Sequence, residues 1–116
     1  MLSETDVIDR LWREPSANLV HVSIIDDQDW RDDPKHLSDA QRKFDFYLRV
    51  ILNGDLQEHY RIREEERVVI SYVVMHRPSR WGIEMLRAMN ESAKTKGIGF
   101  TVMTVAADET FEEISI

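Results

Sequence analysis

Five carboxylates crowd into residues 26–33: Asp26, Asp27, Asp29, Asp32 and Asp33, against the single base Arg31. Dense oxygen ligands are what a hard cation such as Ca²⁺ or Mg²⁺ takes. The spacing departs from the calcium-loop template, because no glycine sits at the sharp turn and no glutamate closes the twelfth position. A solvated connection whose acids favour the start of a following helix accounts for the same residues. Trp30, inside this loop, either packs back on the sheet or anchors a partner. Its bulk favours packing.

The other reactive residue types are scattered. His21, His36, His59 and His76 include no pair at helical i, i+4 spacing. His21 and His76 fall on expected strands and could face one another, with Glu58 and His59 nearby. A histidine on a mixed strand face is more simply a hydrogen-bonded structural residue. Ser16, Ser38 and Ser79 read as turn or capping residues, and no Gly-x-Ser-x-Gly elbow is present. Gly54, Gly82, Gly97 and Gly99 form no phosphate loop. With no cysteine, disulfides, thiol nucleophiles and cysteine zinc sites are excluded together. The expectation is therefore no catalytic residue, no metal and no cofactor.

The elements that must position these residues follow from periodicity. Residues 6–14 alternate imperfectly and suggest a first strand. Turn residues follow at 15–18, and residues 19–25 alternate well, which together predict a hairpin. Leu37, Ala40, Phe44, Tyr47, Leu48 and Ile51 recur at spacings of three and four, the apolar stripe of a helix. Asp33 is its expected N-cap with Pro34 at the first helical position, Asn53 and Gly54 end it, and residues 55–60 can add a turn. Residues 67–75 are apolar on both faces: Val69, Val73 and Met75 against Val68, Ile70, Tyr72 and Val74. Such a strand belongs in the middle of a sheet covered above and below. Ser79 caps a second helix with apolar positions at Trp81, Met85, Leu86, Met89 and Ala93, closed by Gly97 and Ile98. A last strand runs over 100–105.

The order β-β-α-β-α-β predicts an α+β domain spanning residues 1–116. Its sheet is expected to be four-stranded, mostly antiparallel or mixed, with two helices mainly on one face. The acidic tail, about 107–116, is expected to be flexible. Two helices on one face leave the other in water, and a large bare apolar face is unusual on a monomer. A symmetric homodimer is the expected cover.

The net charge of −7 is concentrated in the acidic loop and in the tail, which holds Asp108, Glu109, Glu112 and Glu113 without a base. Phosphate repels such a chain, so no nucleic-acid partner is expected, whereas a basic protein partner is. No apolar run reaches membrane-spanning length, so no membrane partner is expected and a cytoplasmic location is. Arg77, Arg80, Arg87 and Lys94 give a weak basic stripe, the wet face of the second helix or a dock for an acidic segment.

Residues 24–54 carry Asp29-Trp30, His36-Leu37, Gln41-x-Lys43, Tyr47-Leu48 and a closing Gly54. In this block the chain resembles an uncharacterised family of small bacterial α+β proteins, a domain of unknown function. Val7, Ile8 and Asp9 and the strands at 68–72 and 100–105 share the likeness, and the tail does not. The resemblance implies a compact bacterial domain and no established activity. Asp29, Trp30 and His36 match its most recognisable element; with Asp27 of the same loop they form the candidate binding surface. The functional expectation is a non-enzymatic interaction or accessory protein, in one version an acidic antidote to a basic partner. The alternative is a small ligand-binding domain or enzyme using His21, His59, His76 or the acidic loop.

Overall fold

Alternating apolar residues build a five-stranded mixed sheet. The structure, a computed structural model, describes residues 2–31 and 33–116. Strands β1 (Arg10–Glu14) and β2 (Leu19–Asp26) form an antiparallel hairpin through a 3-10 turn at Pro15–Ala17. Helices α1 (Asp33–Leu52) and α2 (Asp55–His59) lead to β3 (Arg67–Val74). Helix α3 (Arg80–Thr95) leads to β4 (Gly99–Val105), and β5 (Phe111–Ile114) turns back along β4. The strands lie in the order β1-β2-β3-β4-β5, with the two inner pairings parallel and the two outer ones antiparallel.

The sheet thus has five strands rather than the expected four, and α2 is a separate short helix. The fifth strand lies inside the tail expected to be flexible. Phe111 and Ile114 enclose two glutamates, so no run of apolar residues announces a strand. It pairs on one side only, and charge on such an edge guards against further pairing. The first strand is shorter than expected, beginning at Arg10 instead of residue 6. Helix α1 already includes Asp33, so Asp33 is its first residue and not the N-cap expected there.

β3 is the middle strand, and Ile70, Tyr72 and Val73 are fully buried on its two faces, as its composition requires. One face of the sheet, carrying Val22, Ile24, Ile70, Tyr72, Val74 and Val102, packs under α1 and α3 in one core. The α3 stripe is Gly82, Leu86, Met89 and Ala93. Trp81, expected in that stripe, stands 63% exposed instead. Residue 82 is in phase with 86, 89 and 93, so its neighbour Trp81 is turned about 100° away from the core. Ser79 caps α3 by accepting the Gly82 N–H. Its end is a full Schellman closure: Gly97 at φ 72° donates to Lys94, and Ile98 donates to Ala93.

The opposite face is covered from within the chain. His21, Ser23, Ser71, Val73 and Met103 are buried there in the single subunit. Trp12 of β1 stacks on His21 at 3.8 Å, and Arg10 of β1 sits 5.5 Å from the ring centre of Phe111 on β5. Side chains of the two outermost strands therefore meet across that face. Among the described residues that face carries no bare apolar flank to call for a second copy.

Candidate functional site

β2 ends by carrying its helix-facing alternation one step too far. Val20, Val22 and Ile24 line the core, and the next residue in phase is Asp26, fully buried. Its carboxylate collects three donors. Oδ2 accepts His36 Nε2–H at 2.5 Å and the Tyr72 hydroxyl at 2.6 Å, and Oδ1 accepts the Gln28 N–H at 3.1 Å. His36 Nδ1–H donates to the Asp29 carbonyl at 3.0 Å. A carbonyl can only accept, so this ring nitrogen carries a proton, and the other faces a carboxylate. The arrangement is that of an imidazolium held between two acceptors.

Burial works against a proton on His36, but the Asp26 hydrogen bond and charge outweigh it, helped by the Asp29 carbonyl and the Asp33 charge. The net effect lifts the His36 pKa above 6.5. Burial, then the Asp26 charge and hydrogen bond, keep the Tyr72 phenol protonated well past its usual range. Because the folded state holds the His36 proton more tightly than the unfolded chain, this contribution is complete below the unfolded value and fades as pH rises through the folded one. The urea midpoint is expected to fall between pH 6 and pH 9, and His36→Gln is expected to flatten that slope. An unchanged slope in the variant would show that other groups dominate.

Trp30 lies over this pair, its ring 3.7 Å from the His36 ring and its Nε1–H donating to the His76 carbonyl at 3.3 Å. It rests on α3 where that helix has no side chain: a Cβ at Gly82 would stand 2.4 Å from the indole. Thus Asp29, Trp30 and His36, three of the four residues singled out from sequence, are neighbours at the carboxyl ends of β2 and β3. Asp27 is turned elsewhere, accepting the Leu2 N–H at 3.1 Å. The sequence reading counted Asp26 only among the acids of the loop and gave Tyr72 and Gly82 no part in a site. The signal was available for Asp26, since period two from Val20 places it on the core face opposite the helix stripe.

Two further polar clusters are equally committed. On the covered face, Glu14 accepts His21 Nε2–H at 2.7 Å, and Ser71 Oγ lies 2.8 Å from Nδ1. An acid–imidazole–hydroxyl series is a nucleophile's pattern. Ser71 is fully buried, however, and accepts the Thr101 hydroxyl at 3.2 Å. The third cluster ties the arm of residues 2–9 to α1. Buried Lys43 reaches Asp9 at 2.6 Å and the Glu4 carbonyl at 3.0 Å. Asp9 also accepts the Ile25 N–H at 2.8 Å, while Tyr47 accepts the Asp9 N–H and donates to the Ser23 carbonyl at 2.6 Å.

The arm and the helices enclose an open groove of about 420 Å³. Ile8, Phe46, Val50, Leu56 and Tyr60 give it apolar walls, and Asp6 and Asp55 stand among them with His59. The histidines do not converge. His21 is on the covered face, His36 under Trp30, His59 in the groove, and His76 exposed beyond β3. Among the described residues no cluster of three or more His, Asp or Glu is arranged to hold a metal, and no helix is long and apolar enough to cross a membrane.

Neither a search of curated proteins nor one of solved structures returned a match. A family model does match, over residues 1–106, ending just before β5. The chain belongs to that family, described as one of unknown function (DUF6572).

Proposed function

We propose that this protein is a non-enzymatic interaction domain that receives a basic segment of a protein partner in the groove between its arm and α1–α2. The observation that carries the reading is the groove's composition: apolar walls with Asp6 and Asp55 set among them. An apolar anchor flanked by lysine or arginine suits such a surface on both counts. The hydrocarbon displaces water, and the acids attract the flanking cations. The chain's overall charge of −7 steers a basic partner toward it. The buried acids and bases support the same view, because Asp26, His36, Lys43 and Asp9 are occupied in holding loop and arm in place. The reading takes the protein to be bacterial and cytoplasmic, and neutralising a basic partner in the manner of an antidote is one form of it.

Two synthetic peptides test it. They share an apolar anchor of tryptophan and leucine, and one carries arginine flanks where the other carries glutamate. The arginine peptide is expected to shift the amide resonances of Val7, Phe46, Val50 and Tyr60, and to bind at least about tenfold more tightly than its acidic twin, a difference of about 1.4 kcal/mol. Salt is expected to narrow that gap. Equal binding of the two peptides, or shifts confined to other surfaces, would overturn the proposal.

A further inference from the structure

The segment from Met75 to Trp81, which is the loop after β3 and the start of α3, has the composition that the groove calls for. Trp81 is 63% exposed and Met75 48%, large apolar side chains that folding leaves in water. Trp30 touches the chain neighbours of both. Its Nε1–H is held by the His76 carbonyl, next to Met75, while its ring lies against Gly82, next to Trp81. Arg77 and Arg80 are exposed in this segment and make no ion pair among the described residues. Tryptophan, methionine and arginine together are the residues enriched where protein surfaces bind.

We infer that this basic, tryptophan-bearing segment docks into the groove of a second copy of the chain, Trp81 against the apolar walls and Arg77 and Arg80 facing Asp6 and Asp55. The inference rests on the proposed reading of the groove and names its occupant. Charge decides in favour of a copy: a protein of net charge −7 repels itself in general, and here a local positive surface meets a local negative one. The segment cannot fill its own groove. His36, beneath Trp30, and Val50, in the groove, lie about 20 Å apart along α1, at the helical rise of 1.5 Å per residue. The contact therefore joins different patches of two molecules. Two such contacts close a reciprocal pair, and single ones in series make a growing chain.

Light scattering on the full chain tests this across a concentration series. The wild type is expected to rise above 13.7 kDa as concentration increases. Trp81→Ala is expected to weaken association at least tenfold. A chain carrying Arg77→Glu and Arg80→Glu is expected to stay monomeric, as is one carrying Asp6→Lys and Asp55→Lys. Mixing those two chains restores opposite charges across the contact, and the mixture is expected to associate. A mass of 13.7 kDa at every concentration, association untouched by Trp81→Ala, or a mixture that stays monomeric would each overturn the inference. If the arginine peptide still binds the groove of a monomeric chain, the proposed function stands and only the self-contact falls. All the substituted residues are exposed, and circular dichroism of each variant confirms that the fold is kept.

Discussion

Asp26→Ala is expected to destabilise the fold by about 3–5 kcal/mol, the usual cost of removing one partner from a buried charged pair. The carboxylate serves the His36 imidazole, the Tyr72 phenol and the Gln28 amide, and both ring-bearing side chains are fully enclosed. Alanine leaves the imidazole N–H and the phenol facing hydrocarbon, and each stranded polar group costs about 1–3 kcal/mol. Asp26→Asn keeps one acceptor oxygen and is expected to lose less. Urea unfolding at neutral pH measures both. Pairing Asp26→Ala with His36→Gln is expected to cost less than the sum of the single changes, since the two residues stabilise one another. An alanine variant within about 1 kcal/mol of the parent would show that the cluster contributes little, because surface-like changes fall in that range.

Lys43→Met is expected to be of similar size, about 3–5 kcal/mol, for the same reason seen from the cation's side. Methionine keeps the buried stem but withdraws the charge that faces Asp9 at 2.6 Å. The Asp9 carboxylate then keeps the Ile25 N–H but loses the Lys43 ammonium. Neutralising it as well, with Asp9→Asn, is expected to return part of the loss. The two effects differ in place. The Asp26 cluster holds the loop over β2 and β3, whereas Lys43 holds the arm that forms one wall of the groove. Lys43→Met is thus expected to speed amide exchange at Ile25 and in residues 2–9, and to weaken binding of the arginine peptide along with stability. Unchanged exchange in the arm would mean that the pair does not anchor it.

The elements that carry their pattern in side-chain period were legible from sequence. The double-faced strand expected at 67–75, the hairpin before it and the α1 stripe all rest on period alone; the strand ends at Val74, and Met75, expected on its face, stands exposed beyond it. The capping signals at Ser79 and Gly97 name a local geometry that any fold must respect. What stayed hidden depends on neighbours distant in the chain. Gly82 reads as a weak point in a helix until Trp30 is seen to occupy the space its missing side chain leaves. Lys43 reads as a wet residue between Ala40 and Phe44 until Asp9 arrives from the arm. Trp81 reads as core by hydrophobicity, whereas its phase with Leu86 and Met89 points away from it. Of the candidate surface, the closeness of Asp29, Trp30 and His36 is a matter of seven residues and could be anticipated. Their attachment to Asp26 and Tyr72 depends on the β2–β3 register.

The strands stand side by side in the same order in which they occur along the chain. A ribosome therefore delivers each one to an edge that its predecessor has just made, so the sheet can be laid down strand by strand without rearrangement. Until β5 is in place, every stage presents a sticky rim to other nascent chains. β5, with Glu112 and Glu113 exposed, ends that exposure by turning the β4 rim into one that repels its own kind.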